Sequence, residues 1–351
     1  PLVKIKNGLV RGKFVDAKVG SISRKVSFYE GIRYGKAERF SKSELAEPWE
    51  SVYEATSYKS ACYQFGMITN NFIQINQTSN ESEDCLYLNV WVPEQYKSGV
   101  VMVWIHGGAF EIGTIFSSMY DGRQLAAEGD VIVVAINYRL GPLGFLYGGD
   151  DSNAPGNVGL LDQVLGLQWV HDNIESFGGD TNKITIFGES AGSISVGALV
   201  ISPLTKGLFH RAIMQSGAPT ESMIVSKEQA TLKTKSYASK VGCSSNETMK
   251  SIVECLRTKP VELMVNATIN DFFQGKTFWP IYGDKFMPVR HVDAMKSGQF
   301  NRDIDLMYGL CKDEGSMFVP MFLPELGPFS ITVLNLDFSF SISNLSIRLR
   351  L

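Results

Sequence analysis

The residues best suited to covalent chemistry are a serine and its flanking glycines, because residues 188–192 read Gly-Glu-Ser-Ala-Gly. An apolar run, Ile184 to Phe187, precedes this segment, and a run of small residues, Ala191 to Leu199, follows it. Glycines at these positions let a strand turn abruptly into a helix, which exposes the serine hydroxyl beside a backbone N–H. The sequence therefore predicts a nucleophile at Ser190. The alternative is a glycine-rich helix start that Ser190 only caps.

A second glycine pair, Gly107-Gly108, lies in the segment His106 to Phe110, directly after the apolar run Val100 to Ile105. Small residues in such a loop bring main-chain N–H groups close to a substrate carbonyl. These donors stabilise the oxygen that becomes negative when a serine attacks. A glycine pair alone is more often an ordinary turn. Together with the serine segment, it predicts an oxyanion hole.

An acidic pair, Asp313 and Glu314, follows the apolar run Ile304 to Leu310. If that run is a strand, the pair lies in a loop at its carboxyl end, where α/β sheets keep their active groups. The residues alone do not choose between the two carboxylates, and an acidic loop is usually solvated surface.

The elements that must position these groups are indicated by short apolar runs without alternation, which are typical of strands buried on both faces of a parallel sheet. These runs are residues 100–105, 131–136, 184–187, 212–214 and 304–307. Between the second and third, Leu160 to Val170 has apolar residues at helical spacing. The alternation predicts a doubly wound, mostly parallel α/β sheet. Alternating residues around Asn7-Gly8 predict a small antiparallel hairpin at the N-terminus.

The end of the chain has a different pattern. From about Leu336, apolar and polar residues alternate, as in a half-exposed antiparallel pair of strands. No linker, charge block or repeat divides the preceding sequence. We therefore expect one domain over residues 1–325 and an atypical tail over residues 326–351.

Composition excludes several classes of protein. With 351 residues, 44% hydrophobic and 20% charged, the chain buries a sizeable core. A formal net charge of −3 provides no basic surface for nucleic acid. The longest apolar stretch, residues 131–136, is far shorter than the roughly 20 residues that span a bilayer, so no transmembrane segment is expected. The start at Pro1 is interpreted as a processed terminus or a cut fragment.

Five short motifs follow one another along the chain: Glu83 to Val90, His106 to Phe110, Asn137 to Arg139, Phe177 to Asp180, and Gly188 to Gly192. Their content and order resemble the type-B carboxylesterase and cholinesterase family of the α/β-hydrolase fold. The resemblance implies hydrolysis of a small-molecule carboxylic ester through an acyl-enzyme, without a metal or other cofactor. It does not indicate an oligomeric state.

The resemblance also implies a role for each residue of the two glycine-rich segments. Ser190 is the nucleophile. The N–H groups of Gly108, Ala109 and Ala191 form the oxyanion hole, and Gly107 supports the loop.

The resemblance identifies Glu314 as the triad carboxylate, with Asp313 as its neighbour and Glu189 beside the imidazole. In this fold the triad runs serine, acid, histidine along the chain. All four histidines precede Glu314, and each is better explained as structural; they are His106, His171, His210 and His291. The general base is therefore missing, and the C-terminal part of the fold is expected to be missing with it. Loss of the base costs on the order of a millionfold in turnover, so we expect the chain as given to be inactive.

Cysteines and glycosylation sequons indicate the compartment. The resemblance implies disulfides Cys62–Cys85 and Cys243–Cys255, with Cys311 unpaired; the alternative is reduced thiols in a cytosolic protein. Five N-x-S/T sequons exceed the roughly two expected by chance; they are Asn76, Asn80, Asn246, Asn266 and Asn344. Both features favour a secreted or extracellular protein, or one of the endoplasmic reticulum lumen.

The substrate is less well indicated. Cholinesterases hold a quaternary ammonium over an aromatic face, and the family places that tryptophan about ten residues before the motif cysteine. Residues 72–77 contain no tryptophan, which disfavours a choline ester, although a cholinesterase-type enzyme remains an alternative. Five aromatic residues either line an acyl pocket or pack in the core; they are Phe272, Phe273, Phe278, Trp279 and Phe318. The second alternative is a non-catalytic esterase-like binding or adhesion protein, against which the retained Ser190, Glu314 and glycine loop argue.

Overall fold

The structure is a computed structural model, which describes residues 1–65, 80–273, 275–317, 338–342 and 345–349. The strands, in chain order, are β1 (Leu2–Ile5), β2 (Gly8–Arg11), β3 (Lys13–Val19), β4 (Ile22–Arg33), β5 (Gly35–Lys36), β6 (Glu44–Leu45), β7 (Tyr53–Glu54), β8 (Ala61–Cys62), β9 (Glu81–Ser82), β10 (Tyr87–Pro93), β11 (Val101–Ile105), β12 (Ile132–Ile136), β13 (Ile184–Glu189), β14 (Arg211–Gln215), β15 (Asp305–Gly309), β16 (Phe338–Ile342) and β17 (Leu345–Leu349). The helices are α1 (Arg123–Gly129), α2 (Gly141–Phe145), α3 (Val158–Asn173), α4 (Ala191–Ile201), α5 (Lys227–Lys240), α6 (Met249–Arg257), α7 (Val261–Asn266), α8 (Ile269–Phe273) and α9 (His291–Ser297).

An eight-stranded sheet, in the order β15-β14-β13-β11-β12-β10-β4-β3, organises the described residues. The pairs from β15 to β12 are parallel, and those from β12 through β10 and β4 to β3 are antiparallel. The predicted mostly parallel sheet is therefore confirmed. Each of the five apolar runs that predicted it forms one of the strands β11 to β15.

Both faces of the sheet are covered, which explains why its inner strands lack an alternating pattern. On β11, Val103 and Ile105 belong to the larger apolar core, whereas Met102 and Trp104 pack against the smaller one on the opposite face. Helix α4 packs against β13, β14 and β11, and α1 packs against β3 and β10. A strand buried on both faces needs apolar residues at every position.

The outermost strand, β15, differs from the prediction that it is buried on both faces. All five of its residues are exposed, with Tyr308 at 79% and Met307 at 65%. The physical reason is its position, since within the described residues it has a hydrogen-bonded neighbour, β14, on one side. An apolar run identifies a strand, but its burial depends on what lies beside it.

The N-terminal hairpin is confirmed, with a shift of one residue. Strands β1 and β2 are antiparallel, and Ile5 pairs with Gly8, so that the two connecting residues are Lys6 and Asn7. These strands form a separate three-stranded sheet with β7.

The predicted antiparallel pair in the tail is present as β16 and β17, in which Phe338 pairs with Leu349. The predicted domain boundary near residue 325 falls outside the described residues and stays a prediction. The part of the chain that the structure describes contains no helix with the length and apolarity needed to cross a bilayer.

A buried ion pair joins the segment after β12 to helix α3. The Arg139 guanidinium donates to both carboxylate oxygens of Asp162 at 2.8 Å, and the two side chains are 5% and 0% exposed. Arg139 also donates to the carbonyl oxygens of Glu38 and Ser41. Through these bonds, Arg139 connects residues 38–41, the segment after β12 and helix α3.

Replacement of Asp162 by asparagine leaves the Arg139 charge buried without its counter-ion. We expect Asp162→Asn to lower the free energy of unfolding by about 3–5 kcal/mol. Urea denaturation followed by circular dichroism measures this loss. The matched control is Glu54→Gln, which removes the exposed Arg11–Glu54 pair and should cost less than about 1 kcal/mol. Equal losses in the two variants would contradict the assignment.

Candidate active site

Ser190 connects the last residue of β13 to the first residue of α4. Its backbone has φ 56° and ψ −121°, a conformation that costs a residue other than glycine about 1–3 kcal/mol. Two backbone hydrogen bonds of 2.9 Å hold it there, one from its N–H to Gln215 and one to its carbonyl oxygen from Ile194. The side chain is half-buried and makes no capping hydrogen bond to α4. The hydroxyl is therefore not used as a helix cap.

The turn requires an unusually close approach of backbone segments. A Cβ atom on Gly192 would lie 2.0 Å from the carbonyl oxygen of Ile105, the last residue of β11. A Cβ on Gly188 would lie 2.6 Å from the carbonyl carbon of Gly192. Only glycine fits at these two positions, because the start of α4 touches the end of β11. The same contact brings the loop after β11 next to the serine.

The loop after β11 lies directly against Ser190. A Cβ on Gly107 would lie 3.2 Å from the Cβ of Ser190 and 2.6 Å from the carbonyl oxygen of Glu189. Ala109 and Phe110 have φ values of 55° and 62°, so this loop is tightly coiled.

The three N–H groups that the resemblance assigns to the oxyanion hole make no backbone hydrogen bond among the described residues. Within the described residues, the N–H groups of Gly108 and Ala109 donate to no backbone or side-chain acceptor. Ala191 is the first residue of α4, so its N–H has no intrahelical acceptor. Each donor belongs to a segment that is in contact with Ser190 or follows it.

His106 supports this loop from the core. Its ring is buried, its Nδ1 lies 2.9 Å from the carbonyl oxygen of Gly107, and it stacks on Tyr138 with ring centroids 4.4 Å apart. The Tyr138 hydroxyl donates to the His106 carbonyl oxygen at 2.8 Å. Burial lowers the pKa of His106 to about 4, so the ring is neutral at physiological pH.

Glu314 lies beyond β15, as the first residue of a short 3-10 helix, Glu314–Met317. Its carboxylate accepts a hydrogen bond of 2.7 Å from the N–H of Cys311. The nearby Ser216 side chain and the hydrogen bond from this N–H lower the pKa of Glu314 below its usual value. Asp313 is exposed, and its carbonyl oxygen accepts from Ser316. Of the two carboxylates that the sequence left open, Glu314 is the one whose side chain accepts a backbone hydrogen bond, from the segment after β15.

Two carboxylates influence each other at this edge. Partial desolvation, and to a lesser degree the charge of Glu314, raises the pKa of Glu189. The side chains of Glu189 and Glu314 therefore share one electrostatic environment, although they come from β13 and from the segment after β15.

In the part of the chain that the structure describes, no hydrogen bond joins a histidine to Ser190 or Glu314. His171 lies on α3, and His291 is buried at the start of α9, where burial lowers its pKa. The His210 N–H donates to Ile184 at the start of β13, which is the opposite end of that strand from Ser190. Among the described residues, no group of three His, Cys, Asp or Glu side chains gathers in a way that could hold a metal.

Of the five aromatic residues considered for an acyl pocket, Phe278 and Trp279 line a cavity of about 1060 Å³. The cavity lies between α5, α8 and the segment 275–279. Phe278 packs edge-on against Tyr237, and Trp279 packs edge-on against Phe110. Phe272 contacts Phe65. The side chain of Phe273 and the whole of Phe318 lie outside the described residues.

The model of the carboxylesterase family matches residues 1–347 of the chain. The chain belongs to this family. It is 38% identical over 329 residues to acetylcholinesterase 4 of Caenorhabditis briggsae, an overlap of 89% of the chain and 54% of that protein. It is 41% identical over 308 residues to the acetylcholinesterase of Danio rerio, covering 82% of the chain and 48% of the relative. The chain thus spans about half the length of the curated relatives it matches. The predicted family and its α/β-hydrolase fold are confirmed.

The two disulfides implied by the resemblance are present, between Cys62 and Cys85 and between Cys243 and Cys255. Cys311 is free and exposed.

Sequence reasoning missed two polar residues next to the site, Ser216 and Glu111. Ser216 has φ 53° and follows β14, and its N–H donates to Gly309 on β15. Its side chain lowers the pKa of Glu314. Nothing local in the sequence links it to a carboxylate so far along the chain. Glu111 is buried directly after the glycine loop. In the sequence, the feature that could have drawn attention to it is its place in the segment His-Gly-Gly-Ala-Phe-Glu, residues 106–111.

Removal of the Ser216 hydroxyl tests how Glu314 is held. Because the Ser216 side chain favours the ionised carboxylate, we expect Ser216→Ala to raise the pKa of Glu314 towards its ordinary value. Carboxyl ¹³C NMR titration of the two proteins measures the shift. Ser222→Ala is the control, because the Ser222 hydroxyl pairs with Thr220 instead. An unchanged Glu314 titration in Ser216→Ala would refute the contact.

Proposed function

We propose that the protein hydrolyses carboxylic esters through an acyl-enzyme formed on Ser190. The observation that carries the proposal is the strained Ser190 backbone at the β13–α4 junction, with Gly107 packed against it. Strain of this kind persists where the surrounding structure over-determines it, and it is concentrated at active sites. Membership of the carboxylesterase family supports the same reaction class.

In the proposed mechanism, the Ser190 oxygen attacks the ester carbonyl carbon while a general base takes the hydroxyl proton. The carbonyl oxygen becomes negative and accepts hydrogen bonds from the N–H groups of Gly108, Ala109 and Ala191. The carbonyl re-forms, the alcohol leaves with a proton returned by the base, and the acyl group remains on Ser190. Water then attacks the acyl-enzyme by the same route, which releases the acid and restores the hydroxyl.

The proposed acid is Glu314, whose carboxylate would orient a histidine base and stabilise its charged form. Glu189 would add a second negative charge beside that imidazole. The sequence contains no histidine after Glu314, and His106, which begins the glycine loop, is buried and neutral. We therefore propose that the 351-residue chain alone turns over esters on the order of a millionfold more slowly than a complete triad would.

Chemical rescue tests both parts of this proposal. The intact chain is treated with a fluorophosphonate probe with and without added imidazole, and mass spectrometry locates the adduct. Imidazole supplies the proton acceptor, so we expect slow labelling of Ser190 that accelerates with imidazole concentration and is absent in Ser190→Ala. Labelling of Ser190→Ala at the same rate would contradict the nucleophile. Rapid labelling without imidazole would contradict the missing base.

The proposed substrates are simple carboxylic esters of the broad carboxylesterase type. The named relatives are acetylcholinesterases, but residues 72–77 offer no tryptophan for a quaternary ammonium. In the same labelling experiment, phenyl acetate should therefore protect Ser190 better than acetylcholine does. Stronger protection by acetylcholine would favour a cholinesterase-type enzyme.

We also propose that the protein is secreted or extracellular. Its two disulfides suit an oxidising compartment. Of the five sequons, Asn80, Asn246 and Asn266 are exposed, as glycosylation requires, and Asn76 and Asn344 lie outside the described residues. Expression through a secretory pathway should give a product whose mass falls on treatment with an N-glycosidase. A product without glycans would remove this support.

A further inference from the structure

Glu111 is a buried carboxyl group that the proposed mechanism does not use. Its side chain is 2% exposed, and it lies two residues after Ala109 in the loop that follows β11. The Glu111 N–H donates to the carbonyl oxygen of Gly108 at 3.0 Å, which closes the turn. The residue is therefore part of the same backbone coil that contains the proposed oxyanion donors.

The Glu111 side chain ties this coil to a wall formed by residues distant in sequence. Oε1 accepts from the N–H of Phe278 at 3.2 Å, and Oε2 lies 3.2 Å from the Thr268 hydroxyl oxygen. Phe278 lines the cavity beside α5 and α8, and Thr268 is 1% exposed. Displacement of the Glu111 carboxyl group would thus move the loop relative to this wall.

The hydrogen bonds of Thr268 indicate which form of the carboxyl group fits. The Thr268 hydroxyl lies 2.8 Å from the carbonyl oxygen of Val265, a shorter contact than its 3.2 Å contact with Glu111. A hydroxyl has one proton to donate. If that proton goes to Val265, the remaining contact is satisfied when a protonated Glu111 donates to Thr268.

The charges around Glu111 do not neutralise an ionised carboxylate by direct contact. From α5, Lys233 acts on it at longer range, and Tyr237 is coupled to it; from α8, Asp271 opposes ionisation. Lys233 itself is paired with Asp271 at 2.6 Å. Helix α2, whose Gly141 approaches Oε2, has no charged residue. Burial is the main effect and, although the bonds from Phe278 and Thr268 oppose it, raises the pKa of Glu111 to about 7.

We propose that Glu111 is a positioning residue, whose protonated carboxyl group bonds to Thr268 and Phe278 and so holds the loop that presents the Gly108 and Ala109 N–H groups to Ser190. This rests on the proposed function. An ionised Glu111 would compete with the Val265 carbonyl oxygen for the single proton of the Thr268 hydroxyl. It would also place a negative charge behind donors that must stabilise a negative oxygen.

Protonation of Glu111 makes the stability of the folded protein depend on pH. The folded protein keeps the Glu111 proton to about pH 7, whereas an unfolded glutamate loses it near its ordinary value of 4.5. The folded form thus binds the extra proton, and this contribution to stability is lost as pH rises from about 4.5 through about 7. The loop should loosen over the upper part of that range.

Glu111→Gln and Glu111→Met separate positioning from packing. The amide of glutamine donates to Thr268 and accepts from Phe278 at any pH, as the protonated carboxyl group does, whereas methionine fills the space without either bond. The matched control is Glu30→Gln, a glutamate on β4 that is also 2% exposed and is paired with Lys13.

Amide hydrogen exchange of the peptide containing residues 106–112, from pH 6 to pH 8, tests the loop without requiring catalysis. After correction for intrinsic exchange, the wild-type protein and Glu30→Gln should lose protection as pH rises, and Glu111→Gln should not. Protection that changes equally in wild type and Glu111→Gln would overturn the proposal. Because this comparison uses wild type and an isosteric variant, it holds even if Glu111→Met fails to fold.

Imidazole-assisted labelling of Ser190 gives the second measurement. The rate ratio of Glu111→Gln to wild type should rise about tenfold between pH 6 and pH 8, and Glu111→Met should label about 100-fold more slowly throughout, similar to loss of one oxyanion donor. A ratio that does not change with pH would overturn the role at Ser190. If exchange responds as expected but no protein labels, the loop contact stands and the hydrolase proposal fails.

Discussion

The described site depends on one close backbone contact, between the end of β11 and the first turn of α4. Parallel pairing of β11 with β13 sets Ile105 opposite Gly188. The loop after β11 and the junction after β13 therefore emerge at the same edge of the sheet. Gly192 permits the approach, since a Cβ there would lie 2.0 Å from the Ile105 carbonyl oxygen. Without that contact, Ser190 and the loop donors would belong to separate parts of the surface.

Much of the fold could be predicted because its inner strands are buried on both faces and read as continuous apolar runs. The runs that became β11 and β12 are examples. The same rule was wrong for the burial of β15, because burial depends on a neighbouring strand and not on the residues of the strand itself. The hairpin at Asn7-Gly8 was located to within one residue. Turn residues indicate that a turn exists, while cross-strand packing decides its register.

Some residues of the candidate site could be predicted from their neighbours in the sequence, whereas others depend on contacts with distant residues. Ser190 and the Gly107-Gly108 loop are encoded locally, because glycines at close contacts leave a recognisable spacing. The lowered pKa of Glu314 depends in part on Ser216, which lies on a different strand connection. Glu111 depends on Thr268 and Phe278, which are 157 and 167 residues away. Contacts of that range leave no periodic pattern in a single sequence.

The position of β15 at the edge of the described sheet affects how firmly the segments that carry Ser190 and Glu314 are held. Ser190 follows β13, which is hydrogen-bonded to β14 on one side and to β11 on the other. Glu314 follows an exposed strand that is hydrogen-bonded on one side within the described residues. A strand paired on one side is held by fewer interstrand hydrogen bonds than a strand paired on both. Within the described residues, the segment that carries Glu314 therefore has weaker backbone support than the junction that carries Ser190.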